Sequence, residues 1–191
     1  HFISSIPFAL KNLKWFLDNK KIPIRLPELQ KVLRAIVSDD IIKKFEITKA
    51  GPETPLLVRI RSFSYRKGIP EDTTENGGGY VFDCRGILNP GRIDEFKVQT
   101  GRDKGVKEFL LHKTEMPIFL QHVYGIVDIS VADYIRRGFS HLTVNFGCTG
   151  GQHRSVFAAD RLAEHLKEKF NVNTIVEHVE QESKNWINQT Y

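Results

Sequence analysis

The sequence predicts an α/β domain in which a mostly parallel sheet is flanked by helices, with a helical segment before it. Short apolar runs alternate with amphipathic helical patterns after residue 56, which favours parallel strands joined by helices. The first fifty residues carry only helical spacing, and a stretch rich in glycine and proline divides the two parts.

The first part of the chain has the apolar spacing of packing helices. The stretches "IPFALKNLKWFLDN" and "LPELQKVLRAIVSDDIIKKFEI" both repeat apolar residues three and four positions apart, and Pro27 lies near a helix start. The chain begins at His1, directly in a helical pattern, which we interpret as a piece of a longer protein or a trimmed N-terminus. We therefore predict a helical segment over 1–50, a linker over 51–56 and the α/β domain over 57–191.

The second part is predicted to open with a strand. Apolar and polar positions alternate in "LLVRIRSFSY", from Leu56 to Tyr65. The glycine-rich residues 66–79 have no periodicity and are predicted to form a loop. A short buried strand is then expected at Tyr80–Cys84, followed by a second, arginine-containing loop over 85–102.

Two helices are predicted next, at about 103–112 and 118–137. In the second helix four apolar side chains are expected to face mostly inward: Phe119, Val123, Ile126 and Ile135. The strand "HLTVNFG", a helix over Ser155–Phe170 and a last strand at "NTIVEHV" complete the domain. Ligands of such sheets bind at the carboxyl ends of the strands, which is where Arg85 and Cys148 fall.

Composition favours an ordinary globular protein. The net charge of +5 makes phosphates, phosphosugars or RNA plausible partners, although a basic surface kept for solubility explains it equally well. No apolar run approaches the roughly 18 residues that span a membrane, so we expect no membrane contact and a cytoplasmic protein. Two cysteines give no disulfide framework, and no Cys/His cluster has zinc spacing, so neither a metal nor a cofactor is expected.

The stretch "CTGGQHRS" joins a strand end to a helix start. Backbone N–H groups are unpaired at a helix N-terminus, and glycines let a backbone approach an anion closely. Hydroxyl groups and an arginine, which grips phosphate oxygens bidentately, add further donors. We predict an oxyanion site, the alternative being a tight turn that only positions the helix. The predicted ligand-binding residues of this loop are Cys148, Thr149, Gly150, Gly151, His153, Arg154 and Ser155.

The same loop permits a catalytic hypothesis. It lacks the Gly-Lys-Ser/Thr ending of a nucleotide-hydrolysing P-loop. Five residues separate Cys148 from Arg154, however, as in cysteine-dependent phosphatases, in which a thiolate attacks phosphorus. In this alternative Cys148 and Arg154 are catalytic and Ser155 assists the thiolate. Against it, Gly147 stands where those enzymes usually carry histidine, and no motif selects a general acid among the candidates Asp83, Asp94 and Asp103.

Four segments, in order, resemble the C-terminal domain of the RNase adapter protein RapZ family. They are "IRSFSYRKGIP", "YVFDCRGILNPG", "TGRDKGVKEFL" and "GCTGGQHRS", within Leu57 to Val179. The resemblance implies a phosphofructokinase-like sheet, a pocket for glucosamine 6-phosphate and, in the best-studied members, binding of a small regulatory RNA. It also implies self-association, so a homodimer is expected.

Carried over by motif, the pocket implied by this resemblance adds three residues to the loop: Asp83, Arg85 and Asn89. This sequence departs from the RNA-adapter members at Gly91, where they have histidine, so that contact is missing. The P-loop ATPase-like domain that precedes this domain in the family is replaced by a segment similar to the last helices of aminoglycoside-phosphotransferase-like kinases, which suggests a fusion.

Three hypotheses follow. The first is a non-catalytic domain that binds a phosphorylated small molecule, such as glucosamine 6-phosphate, and regulates a fused kinase-like part. The second is the cysteine-dependent phosphatase. The third is an RNA-binding adapter that uses basic surface residues, for which the candidates are Arg59, Arg61, Arg136 and Arg137.

Overall fold

The computed structural model describes residues 49–74 and 79–184. The helical segment predicted over 1–50 lies almost entirely outside these residues, and its prediction is untested. Within the predicted linker, 51–56, Leu56 is fully buried, whereas the other residues are exposed or partly exposed. Just before the linker, the amide of Ala50 donates to the carbonyl of Phe170 at 2.7 Å.

Four parallel strands form one sheet, which confirms the predicted α/β class. In chain order they are β1 (Leu57–Ser64), β2 (Tyr80–Asp83), β3 (His141–Cys148) and β4 (Asn173–His178). Their spatial order is β2-β3-β1-β4, and β1 and β3 pair in register from Leu57 opposite His141 to Ser64 opposite Cys148. Strand β3 is buried along its length after His141, as expected for a strand with neighbours on both sides.

Helices connect the strands, as predicted. They are α1 (Lys104–His112), α2 (Met116–Arg137), α3 (Arg154–Phe170) and α4 (Val179–Ser183). The sequence analysis missed α4, and it also missed three short 3-10 turns within the second loop: Cys84–Gly86, Pro90–Arg92 and Asp94–Phe96. Across the part of the chain that the structure describes, no helix is both long and apolar enough to cross a bilayer.

One prediction about α2 was wrong. Its inward stripe consists of Met116, Leu120, Val123, Val127 and Val131. Ile126, expected to face inward, is 47% exposed. Neighbouring positions on a helix lie about 100° apart, so burying Val127 turns Ile126 towards solvent.

The core lies between the sheet and α3. Val58 and Ile60 of β1 and Phe146 of β3 are buried in one cluster with α3 side chains. The α3 members are Phe157, Ala158, Ala159, Leu162, Leu166 and Phe170. Burial of these side chains fixes α3 against the central strands, and therefore fixes the position of its N-terminus at the carboxyl end of β3.

A chain of polar side chains crosses the domain beside this core. The Ser62 hydroxyl of β1 lies 2.8 Å from Nδ1 of His178, and Nε2 of His178 lies 3.1 Å from the Asp160 carboxylate on α3. Arg102 completes the chain with two hydrogen bonds to Asp160, at 2.7 and 2.9 Å. Burial raises the pKa of Asp160, but the hydrogen bonds from His178 and Arg102 outweigh it and lower that pKa to about 2.

Asp160→Asn is therefore expected to lower the free energy of unfolding at pH 7 by about 2 kcal/mol. The carboxylate stabilises the fold above its unfolded pKa of about 4, and this contribution is lost as pH falls towards the folded pKa. Urea unfolding at pH 7 and pH 3 measures both effects. The difference in the free energy of unfolding between wild type and variant should be smaller at pH 3 than at pH 7.

The matched control is Asp133→Asn. Asp133 also accepts hydrogen bonds from two arginines, Arg136 and Arg137, but it is exposed, so solvent screens the interaction. An equal loss of stability in the two variants would contradict the account of Asp160.

Candidate anion-binding site

The loop between β3 and α3 lies at the carboxyl edge of the sheet. Cys148 ends β3 and Arg154 begins α3, with β1 and β2 on the two sides of β3. The chain leaving β1 runs to β2 at one edge, and the chain leaving β3 runs to β4 at the other. Ligands of open α/β sheets bind in the crevice outside the carboxyl ends of the strands, which is where this loop lies.

Two glycines are required for the loop to lie where it does. A Cβ atom at Gly147 would meet the rings of Tyr65 and Phe63 at 2.4 and 2.5 Å, so only glycine fits under them. Gly151 has a φ of +64°, and a Cβ there would also meet Glu180 of α4 at 2.4 Å. These glycines were expected to allow either close approach of an anion or a positive φ. The positive φ is confirmed at Gly151, and packing explains why no side chain fits at either position.

Hydrogen bonds tie the loop to the chain on both sides. On the β1 side, the Ser64 hydroxyl donates to the Thr149 carbonyl at 2.8 Å. On the other side, Nε2 of Gln152 donates to the carbonyls of Lys97 and Gln99, at 2.9 and 2.7 Å. The segments after β1 and β2 therefore form fixed walls around the loop.

The guanidinium of Arg154 lies at the centre of the site and is 4% exposed. Its Nη1 donates to the carbonyls of Arg85 and Ile87, at 3.1 and 2.8 Å. Its Nε is buried and has no hydrogen-bond partner among the described residues. A buried donor without a partner costs about 1–3 kcal/mol, so an acceptor supplied by a ligand would stabilise this arrangement.

His153 is held beside Arg154. Its Nε2 lies 2.9 Å from the Phe96 carbonyl, and because a carbonyl only accepts, Nε2 carries the proton. Burial lowers the pKa of His153, so the ring is neutral at pH 7. Gly91 lies against this ring, since a Cβ there would be 3.2 Å from its Cε1. A histidine side chain at that position, as in the RNA-adapter members, would press on His153.

A cavity of about 180 Å³ opens over the loop. Six of the predicted site residues line it: Asn89, Cys148, Thr149, Gly150, His153 and Arg154. Four others that the sequence analysis did not assign to the site also line it: Arg66, Gly91, Lys97 and Gln152. Arg66, Gly91 and Lys97 are distant from the loop along the chain, so no local signal in the sequence marked them, whereas Gln152 lies within the predicted loop but was not assigned a ligand contact. Arg66, Gly91 and Gln152 lie within segments that carry the family resemblance.

The remaining predicted residues lie outside the cavity lining. Asp83 and Arg85 form a bidentate ion pair with a closest distance of 2.6 Å, and the Arg85 guanidinium lies 4.0 Å from the centre of the Tyr65 ring. The hydrogen bonds from Arg85 lower the pKa of Asp83, so its carboxylate is charged. Direct ligand contacts by Asp83 and Arg85, and by Gly151 and Ser155, stay predictions.

The surroundings of Cys148 lower the pKa of its thiol. Its Sγ lies 3.2 Å from the Ser155 hydroxyl. Burial raises the pKa of Cys148, but hydrogen bonds from the Ser155 hydroxyl and amide, together with Arg154, outweigh it, and the pKa falls below its usual value. Burial raises the pKa of the other cysteine, Cys84, well above its usual value.

The arginines proposed for RNA contact have partners within the domain. Arg61 is buried and donates to the Glu71 carbonyl, while Arg59 pairs with Glu177 at 3.8 Å. Arg136 and Arg137 share Asp133. The ion pairs of Arg59, Arg136 and Arg137 lie at the surface and contribute little, so they do not exclude contact with RNA, which stays a prediction.

Comparison with known proteins places this site in a family. The model of the RapZ C-terminal domain matches residues 56–182. The chain belongs to the RapZ C-terminal domain family. The matched range contains every residue that lines the cavity, so the cavity is a feature of the RapZ-like domain itself.

Relatives of this RapZ-like chain carry the name nucleotide-binding protein. One from Fusobacterium nucleatum is 34% identical over 185 residues, covering 91% of this chain and 62% of its own length. Others from Ruminiclostridium cellulolyticum and Thermosipho africanus are 40% and 37% identical, each covering 64% of this chain and 40% and 41% of their own lengths.

The chain thus spans about two fifths to three fifths of these relatives. The alignment with the Fusobacterium relative covers 91% of this chain, whereas residues 56–191 make up less than three quarters of it. The alignment therefore also includes residues before position 56. The kinase-like origin of that segment stays a prediction.

The site predicts a reactive thiol at Cys148. Its alkylation by iodoacetamide should rise with pH with a midpoint below that of an ordinary cysteine, because only the thiolate reacts. Ser155→Ala removes the hydroxyl donor and should raise the midpoint. Mass spectrometry of labelled peptides over pH 5 to 10 measures this, with buried Cys84 as an internal control that stays unmodified.

An unchanged midpoint in Ser155→Ala would contradict the role given to the hydroxyl. The substitution removes one atom from a fully buried side chain, so thermal unfolding of the variant checks that the fold is retained.

Proposed function

We propose that this domain binds a phosphorylated small molecule, without catalysis, and holds its phosphate on the loop from Cys148 to Ser155. The observation that carries the proposal is the buried Nε of Arg154, which has no hydrogen-bond partner among the described residues, in a side chain that belongs to the cavity lining. Anion binding would supply the missing acceptor and neutralise a guanidinium that is otherwise buried.

The surroundings of Arg154 also suit an oxyanion. The loop leads into the N-terminus of α3, a helix of 17 residues whose first N–H groups lack intrahelical partners. One of these N–H groups, the Ser155 amide, is directed at Cys148, and so is the Ser155 hydroxyl. The phosphate would therefore rely mainly on the loop and on Arg154. No carboxylate of the described residues lines the cavity to repel it.

The cavity favours a small polar ligand. Its volume of about 180 Å³ is below the roughly 300–1,000 Å³ of pockets that take drug-sized ligands. The resemblance to the family implies glucosamine 6-phosphate, and the relatives' name, nucleotide-binding protein, raises a nucleotide as another phosphorylated ligand. We infer a regulatory role, in which ligand occupancy of the cavity is sensed by the rest of the protein.

Phosphorus NMR of glucosamine 6-phosphate tests the binding claim. The ester resonance should shift or broaden with wild-type protein, with no new inorganic phosphate signal. Arg154→Gln should weaken binding at least about tenfold, because the charged donor is lost. Arg161→Gln, an exposed arginine on the same helix, is the control and should bind as wild type does.

Arg154 also supports the segment after β2, so Arg154→Gln is informative only if it folds. A second readout avoids this difficulty: in wild type, a ligand on the loop should slow alkylation of Cys148. A folded Arg154→Gln protein with unchanged affinity for glucosamine 6-phosphate, inorganic phosphate and a nucleotide would overturn the site assignment.

One observation favours a second candidate, the cysteine-dependent phosphatase. The Ser155 hydroxyl lies 3.2 Å from Cys148 Sγ, and the pKa of this thiol is lowered, as a nucleophilic cysteine requires. The proposed general acids fit less well. Asp83 is paired with Arg85, Asp94 is paired with Lys97 at the surface, and Asp103 accepts hydrogen bonds from Thr100.

The two functions differ in one product. A phosphatase would release inorganic phosphate from glucosamine 6-phosphate or another phosphoester, and Cys148→Ser would abolish that release. A binding domain would show ligand perturbation without release, and Cys148→Ser would leave affinity within about threefold of wild type, since sulfur gives way to a similar small polar atom.

A further inference from the structure

We propose that the ligand carries a second anionic group besides the phosphate, a carboxylate or a further phosphate, which Arg66 and Lys97 bind at opposite walls of the cavity. This inference rests on the proposed function, since it assumes that a phosphate occupies the loop. It concerns the chemical class of the ligand, which the phosphate site alone does not select.

The observation behind it is the cation content of the cavity. Arg66, Lys97 and Arg154 all line it, whereas no aspartate or glutamate does so in the described ranges 49–74 and 79–184. His153 is neutral because burial lowers its pKa. A phosphate next to Arg154 uses one of the three cations and leaves two of them facing the remainder of the ligand.

Arg66 is held against the loop from the β1 side. Its amide donates to the Ser64 hydroxyl at 3.3 Å, and that hydroxyl donates to the Thr149 carbonyl at 2.8 Å. The Arg66 guanidinium is exposed and forms no ion pair with a described residue, unlike neighbouring Lys67, which pairs with buried Glu180 at 3.0 Å. Its five donors are therefore available to a ligand.

Lys97 is held from the other side. Its carbonyl accepts from the Gln152 side chain at 2.9 Å, which fixes the Lys97 backbone next to the loop. Its ammonium pairs with Asp94, whose side chain is 91% exposed. Exposed ion pairs of this kind contribute little, so Lys97 can exchange Asp94 for a ligand anion.

The cationic lining of the cavity also disfavours an ammonium group on the ligand. Two carboxylates near the site in sequence, Asp83 and Asp94, lie outside the cavity lining. Asp83 is bidentately paired with Arg85, and Asp94 is paired with Lys97. An amino-sugar phosphate would thus bring a positive charge towards Arg66 and Lys97 without a carboxylate to meet it. Among phosphoesters of equal size, those with an anionic end should bind best.

Two matched ligand pairs test this at constant ionic strength. Glycerol 3-phosphate and 3-phosphoglycerate have the same three-carbon chain, and sorbitol 6-phosphate and 6-phosphogluconate the same six-carbon chain; within each pair only a hydroxymethyl group is exchanged for a carboxylate. Titration calorimetry of the full chain should show at least about tenfold tighter binding of the carboxylate in one pair or both.

The preference for the carboxylate ligands should depend on Arg66 and Lys97. Arg66→Gln and Lys97→Gln should each reduce it, and the double variant should remove it, so that the two members of each pair bind equally well. Arg92→Gln is the control, because Arg92 is exposed on the same segment as Lys97 but does not line the cavity. The preference should also decrease as salt is raised.

The outcomes separate this inference from the proposed function. If both members of each pair bind equally well, the second anionic subsite is wrong and the phosphate site stands. If the preference persists in the double variant, Arg66 and Lys97 are not its source and the inference is overturned. If neither phosphoester of either pair binds, nor inorganic phosphate, the proposed function fails and this inference with it.

Discussion

The site depends on one buried guanidinium. Arg154 is the first residue of α3, and its Nη1 spans to the carbonyls of Arg85 and Ile87 after β2. This contact joins the central strand and its helix to the neighbouring segment, while the buried Nε is left without a partner. A single side chain thus fixes the wall of the cavity and carries a buried donor that no described residue satisfies.

Sheet order explains why the Arg154 side chain lies at the wall of a cavity. Since β3 lies between β2 and β1, the chain leaving each neighbour passes the loop, and hydrogen bonds through Ser64 and Gln152 hold both chains there. The buried chain from Ser62 to Arg102 fixes the region just before α1, where the Gly101 amide also donates to Gln152. The cavity therefore belongs to the rigid frame of the domain.

The sequence predicted the strands, the three long helices and the loop well, because apolar periodicity and the glycine-rich turn are local signals. It missed α4 and the 3-10 turns, which are too short for a period to register. It also missed the ion pair between Asp83 and Arg85, a side-chain contact two positions apart that leaves no apolar period. The approach of Arg66 and Lys97 to the loop was missed because it brings distant segments together. Ile126 was misplaced because a helix rich in apolar residues offers more than one inward stripe.

The central claim is that a phosphate completes the hydrogen bonding of Arg154. Proton–nitrogen NMR during titration with inorganic phosphate tests it most directly, because the Nε–Hε group of this arginine gives its own signal. The account predicts a saturable downfield shift of the Arg154 Hε resonance, with amide shifts concentrated between Thr149 and Ser155. An Arg154 Hε resonance that stays fixed while the protein binds phosphate elsewhere would contradict it.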